Sequence, residues 1–312
     1  MKTLAFLIRR EFWEHRSAFV VLPAVLTLFF LLLLLLVYTV SIVDMTEIAL
    51  DADDIEMTLD QGGISMIEQF PSDSLIFVVS KLESATPLRR AEIFDSGLQV
   101  LSLPLIGALW AVIFFYLLSC LYGERRDRSF LFWKCMPVSD SMTIISKLIT
   151  GLWMLPLVYL LGIAALQFSV LVLLTLKTMN TEISAIAIIW GPANIVGKWL
   201  GYLEAILFYS LWSLPFSGWL LTVSAFAKSL PLAWAIGVPL GLMVCERTLT
   251  GQALITDWLG SHVIPIGFLS FDRFSSENLL ARYFSLDMFS ALVVGSSLVF
   301  LAVWLRSKVG EI

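Results

Sequence analysis

Long apolar stretches separated by charged segments are the feature that most constrains this chain. A helix that spans a bilayer needs about 20 mainly apolar residues. Six stretches reach or approach that length: residues 18–43, 98–122, 148–176, 199–226, 229–245 and 288–305. Hydrophobic residues make up 59% of the sequence and charged residues 14%, so a soluble fold could not cover its own surface. We therefore predict an all-α polytopic membrane protein with six transmembrane helices in a single transmembrane domain, residues 1–312.

Basic residues are distributed unevenly between the predicted spans. One set of segments consists of residues 1–17, residues 123–147 and the short segments after spans four and six. Lysine and arginine are about threefold denser in this set than in the other three connections, residues 44–97, 177–198 and 246–287. The positive-inside rule places this basic side in the cytoplasm. Both termini are then cytoplasmic, which agrees with an even number of spans.

Three segments outside the spans have a distinct character. Residues 1–17 predict an amphipathic interfacial helix, the alternative being a plain extension of span one. Residues 44–97 form a large, acidic outer loop, in which Thr86 and Pro87 indicate the start of a helix. Residues 246–287 are too apolar for a free loop, so we expect them to dip into the outer leaflet or to pack on the bundle.

The sequence argues against several classes of function. A net charge of −5 does not suit nucleic acid, and the three cysteines lack metal-ligand spacing. The two histidines, His15 and His262, are predicted on opposite sides of the membrane, so they cannot share a catalytic or metal site. Residues 191–199 resemble a phosphate-binding loop only superficially, because five residues separate the glycines instead of four and Trp199 stands where Ser or Thr is required. We therefore predict that the chain is not an enzyme and holds no metal or cofactor.

Glu204 is the one ionisable residue inside the predicted spans. It lies near the outer end of span four, where a carboxylate can reach the interface. Ion-coupled carriers usually place charged residues near the bilayer midplane. The absence of such residues counts against a proton- or sodium-coupled transporter.

Residues 123–147 are the most informative predicted cytoplasmic segment. A short helix is expected at about residues 126–136, charged at first and then apolar, with Pro137 as its stop. Ser139 or Ser141 is then expected to cap the helix of span three. The aromatic side chains suit either the groove of a partner protein or the lipid headgroups.

This segment resembles a known family. The pattern Glu-Arg-Arg-Asp, Phe-Trp-Lys, Met-Pro-Val-Ser and Ser-Lys, after an amphipathic helix and within six spans, is similar to the permease subunits of ABC-2 type ABC transporters. In that family the segment is the coupling helix, which inserts into a separate ATP-binding subunit. The resemblance implies that the ATPase-coupling residues are Glu124, Arg125, Arg126, Asp127, Phe130, Trp133 and Pro137.

The resemblance also implies partners. The family works with two permeases and two ABC ATP-binding subunits, which carry ATP and Mg, and a second coupling turn is expected at residues 227–229. Gly237 and Gly241 form a Gly-x-x-x-Gly face in span five that permits close approach of a second permease copy, although Pro239 between them could instead kink the span.

These observations lead to one preferred interpretation and two others. The preferred one is a multi-pass permease of the bacterial plasma (inner) membrane that exports a hydrophobic or amphiphilic substrate, powered by a separate ATPase. The alternative is a non-transport membrane anchor or regulator that recruits a cytosolic partner through residues 123–147. An ion-coupled carrier is the third.

Overall fold

The structure, a computed structural model, describes residues 2–56, 85–127, 138–179, 184–263 and 282–308. Side chains are described for these residues except residues 2 and 40–56. Every regular element in these ranges is helical. The α-helices of more than one turn are α1 (Lys2–Glu14), α2 (Leu22–Glu56), α3 (Pro87–Arg126), α4 (Asp140–Ile149), α5 (Leu155–Thr178), α6 (Ile195–Trp212), α7 (Leu214–Phe226), α8 (Pro231–Thr250), α9 (Leu254–Val263) and α10 (Leu286–Lys308).

The membrane-spanning character of the chain is clear from these helices. Five helical segments are long and apolar enough to cross a bilayer: Ser17–Thr39, Pro87–Arg126, Asp140–Thr178, Pro231–Thr250 and Leu286–Lys308. A sixth is reached if Ile186–Trp212 and Leu214–Phe226, which meet at a bend of 56°, form one broken span. The bend lies at Ser213, just before Pro215. The chain is thus an all-α, multi-pass membrane protein.

Prolines explain three π-helical segments among the described residues. Ser17–Val21, Thr150–Met154 and Ile186–Trp190 each end two residues before a proline: Pro23, Pro156 and Pro192. A proline ring clashes with the carbonyl four residues earlier, and in all three cases that carbonyl belongs to the central residue of the π segment. The wider π turn accommodates the ring without ending the helix.

Two predicted helix starts are confirmed. Helix α3 begins at Pro87, as the sequence predicts. The N-cap of α4 is Ser139, whose hydroxyl accepts a hydrogen bond from the Met142 N–H at 3.3 Å. A hydroxyl at this position satisfies one of the free N–H groups of the first turn.

The packing divides the chain into two compact units. The first contains Met1–Pro23, Leu103–Leu161 and Trp199–Ile312, and the second contains Ala24–Ser102 and Gly162–Lys198. The prediction of a single domain across residues 1–312 stays a prediction.

In the first unit, α7 and α10 form the largest contact between described helices. Their backbones approach closely at Gly218 and Gly295, and Thr222 Oγ1 donates to the Leu298 carbonyl at 2.9 Å. Helix α7 is buried along most of its length because α10 and other helices cover it. Glycines at a helix crossing permit this approach in the absence of side chains.

In the second unit, polar side chains join the helices. Gln167 Nε2 donates to Ser102 Oγ at 3.0 Å, and Trp190 Nε1 donates to Thr175 Oγ1 at 3.0 Å. Lys198 and Asp95 form an ion pair at 2.7 Å. These contacts satisfy polar groups that would otherwise be costly to place among apolar helices.

Candidate functional site

A buried group of charged residues in the first unit joins the ends of four helices. We call it the ion cluster. Its members come from α1, α3, α4 and α10 and are Arg10, Glu11, Glu124, Asp140, Lys147 and Arg306. These three cations match these three carboxylates, and the more exposed Glu14 also pairs with Arg10, at 3.5 Å.

Lys147 lies at the centre of the ion cluster. Its Nζ is 2.9 Å from Glu11 Oε1 and 2.9 Å from Glu124 Oε1. Lys147 and Glu11 are each only 1% exposed. The second oxygen of Glu11 accepts a hydrogen bond from the Tyr116 hydroxyl at 3.2 Å. Charges so deeply buried are tolerated only when they are paired and hydrogen-bonded in this way.

Arg306 connects the cluster to both sides of the segment that precedes span three. Its Nη1 lies 2.8 Å from Glu124 Oε2, and its Nε lies 2.9 Å from Asp140 Oδ1. Glu124 is near the end of α3 and Asp140 opens α4. The planar guanidinium therefore joins the end of α3 to the start of α4.

Arg10 completes the cluster from α1. It pairs with its neighbour Glu11 and lies 3.3 Å from Glu124 Oε1. Glu11 and Leu7 are buried on the face of α1 that packs against the rest of the first unit, while Phe6 and Trp13 are exposed. The predicted amphipathic helix is present, and a carboxylate on its packed face is the feature that fixes its position.

Arg125 forms a second connection, from the end of α3 to the end of α7. Its Nη2 donates to the carbonyls of Ser224 at 2.7 Å and Ala227 at 2.8 Å. The Ser224 hydroxyl in turn accepts hydrogen bonds from the Leu121 and Tyr122 N–H groups, both at 3.0 Å. The turn at residues 227–229 is therefore attached directly to the residues that follow span two.

A half-buried histidine borders the ion cluster. The His15 ring packs edge-on against Tyr116, with centroids 5.1 Å apart, and lines an open groove of about 420 Å³ with Phe19 and Ser119. Burial lowers the pKa of His15, and the nearby charges of Glu11 and Glu14 oppose this shift only in part. The ring is consequently harder to protonate than a free histidine.

The predicted coupling residues have different environments. Glu124 is buried in the ion cluster and Arg125 is half-buried against α7. Both side chains therefore bind groups on other helices of this chain. Arg126 and Asp127 are exposed. The remaining predicted coupling residues, Phe130, Trp133 and Pro137, lie outside the described residues.

No described residue covers the two glycines of the predicted dimer face. A Cβ added at Gly237 or Gly241 would meet no described atom within 4 Å. Large apolar side chains beside them, including Leu240 and Val244, are exposed. The face is available to lipid or to a second helix.

Glu204, the one ionisable residue predicted inside a span, is half-buried on α6. Burial raises the pKa of Tyr283, and the charge of Glu204 raises it further to a smaller extent. Across the described part of the chain, no three His, Cys, Asp or Glu side chains are grouped so that they could hold a metal ion.

Sequence reasoning missed the ion cluster, although two signals were present. Glu11 follows Leu4, Leu7 and Ile8 at helical spacing, so a carboxylate stands in an otherwise apolar row. Lys147 similarly stands among Ile144, Ile145 and Leu148. A charge on an apolar helix face indicates a buried partner. No local pattern, however, identifies a partner that lies more than a hundred residues away in the sequence.

Comparisons with known proteins identify no relative. No protein-family model matches the chain, and neither a curated protein nor a solved structure is detectably similar to it. Functional inference therefore rests on the geometry and on the resemblance of residues 124–147.

Proposed function

We propose that this chain is the permease subunit of an ATP-driven, ABC-2 type transporter. It exports a hydrophobic or amphiphilic substrate across the bacterial plasma membrane, powered by a separate ATP-binding subunit. The observation that carries the proposal is the position of Arg306, which joins Glu124 and Asp140 on the two sides of the predicted coupling segment. A segment that must transmit force from a partner needs its two ends held in fixed relation to the helices it moves.

The contacts give a route for this force. An ATPase that displaces residues 128–137 acts on Glu124 and Asp140 together, because both bind Arg306. Lys147 and Glu11 extend the connection to α1 and to the start of span three. Arg125 extends it to α7 and the turn at 227–229. Buried, balanced ion pairs suit this role, since they fix geometry more than they add stability.

The ion cluster also supports the proposed orientation. It brings together residues of α1, the end of α3, the start of α4 and the end of α10, four segments that the positive-inside rule places in the cytoplasm. Both termini are then cytoplasmic, and the ATPase docks on the side where ATP is available.

The test compares Arg306→Lys with Arg16→Lys in proteoliposomes that also contain an ABC ATP-binding subunit that co-purifies with this chain. Lysine keeps the charge but cannot bind Glu124 and Asp140 with two directed donors. Losing one charge-assisted hydrogen bond should lower substrate-stimulated ATP hydrolysis about tenfold or more. Binding of the ATPase should be kept, and Arg16→Lys, an exposed position, should behave as wild type.

Two results would contradict this function. If Arg306→Lys couples as well as wild type, the cluster does not transmit force. If the chain binds the ATPase and substrate never changes its hydrolysis, the alternative holds: the chain is an anchor or regulator that recruits a partner through residues 123–147.

A further inference from the structure

A cavity of about 430 Å³ lies between α7, α8, α9 and α10 in the first unit. Helix α9 follows a turn at Gly251, where φ is 65°, and packs back against α8, so that its last residues reach the middle of that helix. Most lining side chains are apolar, among them Phe216, Pro239, Leu242 and Val294. The volume falls within the range of about 300–1,000 Å³ that is usual for small-molecule sites.

The turn into α9 is held by Glu246. This buried carboxylate accepts hydrogen bonds from the N–H groups of Ile255 at 2.6 Å and Thr256 at 2.9 Å, and from the Thr256 hydroxyl at 2.9 Å. A carboxylate at a helix N-terminus satisfies free N–H groups and matches the helix dipole. Helix α9 is therefore a fixed wall of the cavity.

His262, near the end of α9, is held on several sides. Its ring stacks on Trp212, with centroids 4.5 Å apart, and packs against Trp258 at 4.4 Å. The indole of Trp212 donates to the Ser261 carbonyl at 2.8 Å, and that of Trp258 donates to Ser290 Oγ at 2.9 Å. These contacts join α9 to α6 and α10 and leave the His262 side chain little freedom.

The hydrogen bonds of His262 assign the roles of its two nitrogens. Nδ1 lies 2.7 Å from the Trp258 carbonyl oxygen, which can only accept, so Nδ1 carries the proton. In the neutral ring Nε2 then presents a lone pair. Nε2 has no hydrogen-bond partner among the described residues, although His262 is only 2% exposed.

His262 Nε2 is the one side-chain hydrogen-bonding group left over among the described residues that line the cavity. The other polar lining groups are the indole N–H groups of Trp219 and Trp258, and both are used, the first by the Ala235 carbonyl at 3.1 Å. A buried acceptor without a donor is costly. Water is a poor solution, since an ordered buried water needs two to four polar partners.

We propose that this cavity binds a neutral, single-chain amphiphile whose hydroxyl group donates a hydrogen bond to His262 Nε2. The apolar lining accommodates the aliphatic chain. A head group with a permanent charge finds no Asp, Glu, Lys or Arg among the described lining residues to pair with it. The inference names the substrate class of the proposed transporter and rests on that function for its role, but binding itself requires no ATPase.

The experiment uses the full-length purified chain in lipid nanodiscs and two photoreactive probes. One is a long-chain alcohol with a diazirine in its chain, and the other is the methyl ether of the same alcohol, which lacks the donor. Saturable labelling by the alcohol should exceed that by the ether about threefold to tenfold, the ratio expected for one hydrogen bond. Labelled peptides should include residues 235–243 and 258–263.

Two variants separate the hydrogen bond from the fold. His262→Phe keeps a ring between the two tryptophans and removes the acceptor, so the preference for the alcohol should disappear. His262→Gln keeps an acceptor, and the preference should remain. The inference is overturned if wild type labels equally with both probes, if His262→Phe keeps the preference, or if these peptides show no saturable labelling because the chain itself fills the cavity.

Adding the alcohol to the reconstituted complex distinguishes the two proposals. Donor-dependent labelling without any change in ATP hydrolysis would support the binding site and contradict the transport function. Stimulated hydrolysis without labelling at His262 would support the function and overturn the site.

Discussion

Lys147 is the residue on which the ion cluster depends most. It contacts both Glu11 and Glu124 and is itself almost wholly buried. Replacement of a buried ion pair by apolar groups is often neutral, whereas removal of one partner leaves an uncompensated charge. The difference between these two cases gives a direct test of the cluster.

We expect Lys147→Met to lower the free energy of unfolding by about 3–5 kcal/mol, because the buried carboxylates of Glu11 and Glu124 each lose a cation at 2.9 Å. The double variant Lys147→Met, Glu11→Gln should recover part of this loss, since one of the two carboxylates that lost a cation is then neutral. The exposed control Lys228→Met should change stability by less than about 0.5 kcal/mol. Thermal unfolding in detergent measures all three, and equal midpoints for Lys147→Met and the control would rule out a paired, buried lysine.

The lowered pKa of His15 predicts a pH dependence. Burial makes the folded chain bind this proton more weakly than the unfolded chain. The contribution of neutral His15 to the free energy of unfolding is therefore fully present above the usual histidine pKa of about 6.5. It is lost as the pH falls through and below that value. The unfolding midpoint should drop between pH 7.5 and 5.5, and the drop should be smaller in His15→Gln. Identical pH profiles for the two proteins would exclude His15 as a cause.

At the scale of helices, the contact of α7 with α10 organises the first unit. A Cβ at Gly295 would lie 2.8 Å from the backbone carbonyl carbon of Leu214 and 2.7 Å from its Cβ. These atoms cannot be displaced by turning a side chain. The close crossing therefore requires glycine at this position.

Gly295→Ala should destabilise the chain by about 1–3 kcal/mol, the usual cost of overpacking. Gly107→Ala on α3 is the matched control, because the same added methyl group meets open space. Alanine favours a helix over glycine, so the control should be neutral or slightly stabilising. The unfolding midpoints of the two variants measure this difference in stability. Equal effects at the two positions would contradict the close packing of α7 on α10.

The helical elements could be predicted from the sequence because their signals are local. Apolar length identified the five helical segments that are long and apolar enough to span a bilayer, and Pro87 and Ser139 identified two helix starts. The break at Ser213 and the return of α9 along α8 depend on packing between distant segments, so periodicity could not reveal them. The ion cluster and the His262 cavity depend on the same distant contacts: each residue was visible in the sequence, and its partners were not.

At the scale of the whole molecule, the proposal requires a second permease copy. On helix α8, a Cβ added at Gly237 or Gly241 would meet no described atom within 4 Å, and exposed apolar side chains lie beside them. Small residues spaced by four allow two helices to approach closely in a membrane. We propose that α8 lies near the two-fold axis of a permease pair.

Gly241→Leu should weaken this pair by preventing close helix contact. If the substitution costs about 1.4 kcal/mol of association free energy, the apparent affinity of the pair falls about tenfold. The dimer fraction in detergent, measured by cross-linking or by mass photometry, should decrease accordingly. Gly107→Leu on α3, another position where an added Cβ meets open space, is the matched control. An unchanged dimer in Gly241→Leu would remove α8 from the interface.

The central claim is that residues 123–147 couple this chain to an ATPase. The most direct measurement is the hydrolysis rate of the ABC ATP-binding subunit, reconstituted with wild type or with the double variant Phe130→Ala, Trp133→Ala. Buried aromatic anchors at interfaces commonly contribute about 2–4 kcal/mol each, so the variant should insert and fold but release or uncouple the ATPase. The account predicts that hydrolysis responds to substrate with wild type and returns to the rate of the ATPase alone with the variant. Substrate-linked hydrolysis at the wild-type level with the double variant would contradict it.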